Sequence, residues 1–180
     1  ITHSGNFHFD DVFASVLYSE VLEAQGKEAI IARLPEIPTE FIGVVVDLGV
    51  NAENSKAMVF DHHDDNRLGL HSSSSCGMIF EQYKDILLEK WLGKDIDKDL
   101  AEQVFKSDIL DSVERNDVKG GFNFKNVDVR NFRGESVAHS TRIITLPSFV
   151  RQLNPPWDLA HEKNQRFEKC FNLLHDFLEQ

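Results

Sequence analysis

The sequence has few groups that could cross-link the chain or anchor it in a membrane. Its two cysteines, Cys76 and Cys170, allow at most one disulfide, and a reduced intracellular protein is the expectation. The longest purely apolar run is far too short to cross a bilayer. No basic and then apolar segment opens the chain, so nothing indicates secretion. We therefore expect a cytoplasmic protein, or a mitochondrial or nuclear one if a targeting segment was removed before Ile1.

Positive charge is also scarce. Lys and Arg together number 19 against 30 Asp and Glu, which gives a net charge of −11. Such a surface is unfavourable for holding long nucleic acid mainly through its phosphates. The scarcity is uneven, because the segment from Arg115 to Arg151 contains seven basic residues and three acidic ones. That segment either faces an anionic substrate or forms a solvated loop.

The pattern of apolar residues predicts an α/β fold. The length of 180 residues predicts a single domain over residues 1–180. Helical spacing predicts helices at 10–25, 76–92, 97–115 and 164–178. Short apolar runs predict strands at 1–2, 28–32, 42–46 and 57–60. Strands that alternate with helices favour a mostly parallel sheet flanked by helices, here with a C-terminal helical segment.

Two of these helices have a predicted buried face. In the helix at 97–115 the face consists of Leu100, Val104, Ile109 and Val113. In the last helix it consists of Phe167, Cys170, Phe171, Leu174 and Phe177. The second set repeats at the three- and four-residue intervals that place side chains on one side of a helix, and the first set consists of two four-residue steps joined by a five-residue step from Val104 to Ile109.

Residues that bind metal ions follow three of the predicted strands. They are His3, His8 and Asp10 after the first, Asp47 after the third, and Asp61-His62-His63-Asp64-Asp65 after the fourth. In open parallel sheets, ligands bind beyond the carboxyl ends of the strands, so these residues should gather at one edge. Clustered carboxylates need a cation, and imidazole with carboxylate oxygens suits Mn²⁺, Fe²⁺, Zn²⁺ or Mg²⁺. Two-metal hydrolases use such mixed sets, with a shared carboxylate.

Each of these residues also has an ordinary structural alternative. Asp47 alone would be a turn or cap residue, His3 and His8 alone would be surface or partly buried histidines, and the run that begins at Asp61 could be a polar turn. The joint occurrence at three strand ends is what favours a metal site. Similarly, Ser74 and Ser75 either cap the following helix or offer donors to a substrate phosphate.

The motifs resemble those of the DHH phosphoesterase superfamily, most closely its melanocyte-proliferating-gene (Myg) type exonucleases. The matching segments are His3-Ser-Gly-Asn-Phe-His-Phe-Asp-Asp11, Val45-Val-Asp-Leu-Gly49, Asp61-His62-His63, Ser74-Ser-Cys-Gly77 and Leu153-Asn-Pro-Pro-Trp157. The chain departs from the family at Asp111-Ser-Val-Glu114-Arg-Asn116, where the family has Asp-x-x-Asp-Asn-Gly. The family is also longer, and its second half is not represented in these residues.

The resemblance implies two divalent cations, with Mn²⁺ as the first choice. By the superfamily's pattern, one cation would be held by His3, His8 and Asp47, and the other by Asp10, Asp47, His62 and Asp111. Asp47 would then bridge them, Asp61 would orient a histidine, and His63 would contact the scissile phosphate. On their own chemistry, Arg115, Ser74 and Ser75 are candidate substrate contacts.

The implied activity is that of a 3′-to-5′ exonuclease in which the two metals activate a water molecule. Single-stranded RNA or a short oligonucleotide suits an acidic protein, because few phosphates need to be held. The bases would stack on Phe122, Phe124 or Phe132, unless these residues belong to the core. The alternatives are a small-phosphate hydrolase (a pyrophosphatase or cyclic-dinucleotide esterase) and an inactive metal-binding or interaction module. We expect no membrane partner, and the oligomeric state stays open.

Overall fold

The computed structural model describes residues 1–49, 52–62, 73–113 and 146–178. Its sheet consists of β1 (Thr2–His3), β2 (Arg33–Leu34), β3 (Val44–Val46) and β4 (Met58–Phe60). The four strands are parallel and lie in the order β2-β1-β3-β4. Helices flank the sheet and a helix ends the described chain, so the predicted α/β class is confirmed.

The strand order decides which loops meet. Because all four strands are parallel, their carboxyl ends share one edge of the sheet. β3 pairs with both β1 and β4, so the residues that follow these three strands converge. This is the edge at which the sequence predicts the metal site.

The side chains of β3 alternate between two cores. Val44 and Val46 face the larger core, which contains most of the helical apolar residues, while Val45 packs with Ile37 and Leu48 on the opposite side. This alternation is the two-residue period of a strand. The sheet is therefore covered on both faces, as is typical of parallel sheets.

Helix α1 (Phe9–Ala24) lies in the centre of the larger core. It is buried around most of its circumference, from Phe9 to Val21, because it packs against the sheet and three other helices. Gly26 follows it with φ 71° and donates its N–H to the Glu23 carbonyl at 2.8 Å. A glycine in this left-handed conformation ends the helix, as the sequence predicts.

Helix α2 (Ser75–Leu92) has the predicted position almost to the residue. The Ser74 Oγ accepts a hydrogen bond from the Gly77 N–H at 3.2 Å and so caps the start of the helix. Helix α3 (Lys98–Phe105) is capped in the same way by Asp97, whose Oδ1 accepts from the Leu100 N–H at 3.1 Å.

The predicted helix at 97–115 is interrupted by a π-helical turn, Lys106–Leu110. The first half of its predicted face is wrong, because Leu100 and Val104 are 56% and 48% exposed while Phe105 packs on the core. Beyond the π turn, Val113 is buried as predicted. The residues of this region that contact the core are Ala101, Phe105, Ile109, Leu110 and Val113, so the face before the turn lies one position beyond the predicted one.

Two further helices, α4 (Leu146–Leu153) and α5 (Lys163–Leu178), form the C-terminal segment, with a 3₁₀ helix at Trp157–Glu162 between them. The predicted stripe of α5 is confirmed at Phe167, Cys170 and Leu174, which are buried. It is wrong at Phe177, which is 58% exposed. Leu178 packs against the core instead, one position further along the helix.

The predicted strand at 28–32 is also wrong. Ile30 is 90% exposed, and β2 begins only at Arg33. The Thr2 N–H donates to the Ala32 carbonyl at 2.9 Å, one residue before β2 begins. The predicted strand at 42–46 is shorter in the structure: β3 begins at Val44, and Ile42 before it is 76% exposed.

Two expectations about covalent and membrane anchoring can be compared with the structure. Both cysteines are buried, and they do not form the single possible disulfide. Within the described ranges, no helix combines the length and the apolar character that spanning a bilayer requires.

Candidate metal centre

The β1–α1 loop (residues 4–8) leads from one candidate ligand to the next. β1 ends at His3, and the Ser4 N–H then donates to the Leu34 carbonyl at 2.9 Å, which extends the pairing with β2 by one bond. His8 precedes α1 and is exposed, while Asp10 lies in the first turn of that helix and is 1% exposed. The loop thus places two imidazoles and a carboxylate at the edge of the sheet.

Asp47 directly follows β3 and adopts a left-handed backbone conformation, with φ 50°. Its N–H donates to the Phe60 carbonyl at 2.8 Å, so this turn is fixed to the end of β4. Only a few per cent of residues other than glycine adopt positive φ, and such positions cluster at functional sites. Here the turn directs a 6% exposed carboxylate into the space between β1 and β4.

The Asp47 carboxylate faces a different histidine with each oxygen. Its Oδ2 lies 3.5 Å from His3 Nε2, and its Oδ1 lies 3.6 Å from His62 Nδ1. Two groups of potential ligands therefore share Asp47, one with His3 and His8 and the other with Asp10 and His62. Within each group the ligand atoms lie within 4.8 Å of one another.

Asp10 is held by the start of helix α2. Its Oδ2 accepts from the Ser75 N–H and its Oδ1 from the Cys76 N–H, both at 2.8 Å. Backbone N–H groups at a helix N-terminus favour a negative charge, and these two orient the buried carboxylate. Its Oδ2 also lies 3.6 Å from His62 Nδ1.

Asp11 is a member of the site that the sequence analysis missed. It is fully buried, its Oδ2 lies 3.1 Å from His3 Nε2, and its Oδ1 accepts the His8 N–H at 2.7 Å. The spacing from His8 to Asp11 is that of an acidic residue reaching back to the N-cap of a helix, and this spacing was the available signal. Burial raises the pKa of the Asp11 carboxyl above its usual value, although its bonds to His3 oppose that rise.

The site concentrates negative charge around His3. Burial by itself lowers the pKa of His3, but hydrogen bonds and charge from Asp11 and Asp47 outweigh it and raise the pKa to about 9. Asp10, Asp11, Asp47 and Asp61 are each at most 6% exposed. Buried carboxylates this close together are unfavourable unless a cation neutralises them. The mixture of imidazole and carboxylate donors fits a divalent metal ion.

Gly49 makes room for the carboxylate of Asp61. A Cβ on Gly49 would overlap the Asp61 Oδ2, so no larger residue fits while that side chain keeps its position. The Asp-x-Gly pattern after β3 therefore has a steric cause, namely the close approach of the β3 and β4 ends.

Some predicted site residues lie elsewhere. Asp111 is exposed and belongs to neither of the two groups; it lines a groove with Glu102 and Lys106. Its role as a metal ligand stays a prediction. Ser74 and Ser75 are fully buried, with the Ser74 hydroxyl capping α2 and the Ser75 N–H bound to Asp10. Their contact with substrate likewise stays a prediction.

Several further predictions fall outside the described residues. These are the phosphate contact by His63, the substrate contact by Arg115, base stacking by Phe122, Phe124 and Phe132, and the altered segment after Val113. Most of the basic segment between Arg115 and Arg151 lies outside them as well.

Comparison with known proteins identifies the family. Neither a search of curated proteins nor one of solved structures gave a match. The model of MYG1_exonuc, described as uncharacterised protein family UPF0160, matches residues 1–180. The name of that family denotes an exonuclease, which suggests a nuclease-like hydrolase and a nucleic-acid substrate. The resemblance to Myg-type exonucleases is thereby confirmed, and the chain belongs to the MYG1_exonuc family.

Proposed function

We propose that this protein is a divalent-metal-dependent phosphodiesterase with a DHH-type domain over residues 1–180. Its substrate in this proposal is single-stranded RNA or a short oligonucleotide, which it shortens from the 3′ end. The observation that carries the proposal is the position of Asp47, whose two carboxylate oxygens face His3 and His62 in two separate ligand groups. A carboxylate shared in this way could lie between the two ions of a two-metal hydrolase.

The roles of the individual residues follow from their positions. His3, His8 and Asp47 would hold one Mn²⁺ ion, and Asp10, Asp47 and His62 the other, with Asp111 as a further candidate ligand. When bound, such ions polarise phosphoryl oxygens and make water a competent nucleophile at neutral pH. No side chain is then needed as a nucleophile, which is consistent with the burial of both cysteines.

The surrounding residues hold these groups in place. The first N–H groups of α2 fix both oxygens of Asp10, and the turn at Asp47 is bonded to the end of β4. Groups whose orientation is fixed before the substrate binds need little reorganisation during the reaction. Asp61 would orient a neighbouring histidine, and His63 would contact the scissile phosphate.

The test is hydrolysis of a 5′-labelled RNA oligonucleotide, and separately of pyrophosphate, with Mn²⁺ or with EDTA. Three proteins are compared: the wild type, Asp47→Asn, and the control Asp176→Asn. Asp176 is exposed on α5, so its substitution changes the net charge equally but leaves the site intact. The proposal predicts a Mn²⁺-dependent ladder of shortened RNA for the wild type and the control, and a loss of at least about 10³-fold for Asp47→Asn.

The other outcomes separate the parts of the proposal. Release of phosphate from pyrophosphate without RNA shortening would refute the exonuclease assignment and support a small-phosphate hydrolase with the same site. Equal RNA hydrolysis by the wild type and Asp47→Asn would refute the site itself. Bound Mn²⁺ without turnover of either substrate would refute the enzymatic role and favour a metal-binding module.

A further inference from the structure

Phe7 lies in the middle of the β1–α1 loop and is fully buried. Its ring packs edge-on against Phe167 of α5, with 5.8 Å between the ring centroids. A buried loop residue has a backbone N–H and a carbonyl that neither helix nor sheet satisfies, and each is costly to leave without a partner. The structure must therefore supply a donor and an acceptor at this point.

Asn154 supplies both with one side chain. Its Oδ1 accepts the Phe7 N–H at 2.9 Å, and its Nδ2 donates to the Phe7 carbonyl at 2.6 Å, across 147 residues of sequence. Only a primary amide offers an acceptor and a donor side by side. Aspartate could accept but could not donate to the carbonyl, and alanine could do neither.

The chain around Asn154 holds that amide in place. Asn154 follows the end of α4, where its N–H and its Nδ2 both donate to the Arg151 carbonyl at 3.4 Å. Pro155 comes next and is buried. A residue that precedes proline is restricted to extended backbone conformations, which limits the directions that the Asn154 side chain can take.

Arg33 also connects the β1–α1 loop to the C-terminal segment. Its Nη2 donates to the Gly5 carbonyl at 2.8 Å and its Nη1 to the Asn164 Oδ1 at 3.0 Å. The guanidinium also lies over the Phe167 ring, 4.7 Å from the centroid. The peptide segment that separates His3 from His8 is thus fixed at Gly5 and at Phe7 by residues bound to, or belonging to, the C-terminal segment.

We propose that Asn154 is a positioning residue for the metal centre: by holding the backbone of Phe7 it keeps His3 and His8 at ligand distance from Asp47. The inference rests on the proposed metal-binding function. It assigns a task to the asparagine of Leu153-Asn-Pro-Pro-Trp157 and makes the C-terminal segment part of the site. The ligand group of Asp10, Asp47 and His62 should depend less on Asn154, because α2 holds Asp10 independently.

Two readouts on the full chain test this inference. The first is hydrogen exchange of the Phe7 amide in the metal-free protein, and the second is Mn²⁺ binding by calorimetry. Asn154→Ala should speed exchange at Phe7 at least about tenfold, and Asn154→Asp should do so less because it keeps the acceptor. In Asn154→Ala one of the two Mn²⁺ dissociation constants should rise about 10- to 100-fold, and the other less than about threefold.

Two control variants separate positioning from loss of stability. Asn172→Ala removes an exposed amide from α5, and Leu174→Ala removes a buried side chain from the same helix. Leu174→Ala should lower Tm without a selective effect on either Mn²⁺ constant. Asn172→Ala should change neither Tm nor Mn²⁺ binding.

Each outcome decides the inference. Unchanged Phe7 exchange in Asn154→Ala would overturn it, and so would a loss of Mn²⁺ affinity no more selective than that of Leu174→Ala. If the wild type bound no Mn²⁺, the proposed function would fail, and exchange at Phe7 alone would decide whether Asn154 orders the loop. Faster exchange together with one selectively weakened Mn²⁺ site would establish the positioning role.

Discussion

The proton on His3 gives the sharpest quantitative prediction. In the metal-free protein the pKa of His3 is about 9, against an ordinary value of 6.5, because Asp11 and Asp47 stabilise the charged ring. A raised pKa stabilises the folded state wherever the group is protonated. The stabilisation is therefore complete below about pH 6.5 and is lost as the pH rises through about 9. The difference corresponds to about 3 kcal/mol of unfolding free energy.

The assay is urea denaturation in EDTA at pH 6.5 and pH 9.5, for the wild type and for His3→Gln. Glutamine cannot take up the proton, so the pH dependence of this variant comes from all the other groups. We expect the wild type to lose about 3 kcal/mol more than His3→Gln between the two pH values. An equal loss in the two proteins would refute the proposed charge state of His3.

Metal binding should have the opposite pH dependence. A protonated imidazole cannot bind a metal ion, and with a pKa of about 9 only about 1% of His3 is neutral at pH 7. The Mn²⁺ site that uses His3 should therefore bind about tenfold more tightly for each pH unit between pH 7 and pH 8, and should release about one proton. Calorimetry in two buffers of different ionisation enthalpy measures that proton. A pH-independent affinity without proton release would show that His3 is not a ligand.

Three further predictions concern packing at the site and elsewhere in the core. Gly49→Ala should destabilise the protein by about 1–3 kcal/mol and weaken Mn²⁺ binding, because the new Cβ overlaps Asp61. The control is Gly26→Ala, where a Cβ meets open space but φ is 71°; it should cost only about 1 kcal/mol and leave Mn²⁺ binding unchanged. Equal Mn²⁺ affinities of Gly49→Ala and the wild type would contradict the predicted overlap. Lys90→Met should cost about 1–3 kcal/mol in urea denaturation, because the fully buried Glu20 loses an ammonium at 2.7 Å and keeps its contacts with Trp91 and His175. An unchanged free energy of unfolding would contradict this. Burial raises the pKa of the Cys170 thiol to about 12, so alkylation followed by mass spectrometry should be about a thousandfold slower in the native than in the unfolded protein, and comparable rates would contradict the burial.

The part of the site that depends on strand ends could be predicted from the sequence. Parallel strands bring their carboxyl ends to one edge whatever the details of packing, so His3, Asp47 and His62 were expected together. Asp10 was also expected there, because it opens the helix that follows β1. The structure brings these four residues together, in two groups that share Asp47.

The rest depends on contacts that leave no local pattern. The bond between Asn154 and Phe7 spans 147 residues, and neither position has a periodicity that indicates the other. The π turn Lys106–Leu110 has no sequence signal that we recognise, and the residue that contacts the core just before it is Phe105 and not Val104. The prediction at 28–32 failed because a run of apolar residues does not by itself show that its side chains are buried: Ile30 and Ile31 are exposed.

The central claim is that Asp47 joins two metal ions. Electron paramagnetic resonance of the protein titrated with Mn²⁺ tests it most directly, because two ions bridged by one carboxylate are spin-coupled and isolated ions are not. The account predicts two Mn²⁺ ions per chain with a coupled signal in the wild type, and a loss of that coupling in Asp47→Asn but not in Asp176→Asn. A single bound ion, or two uncoupled ions in the wild type, would contradict the account.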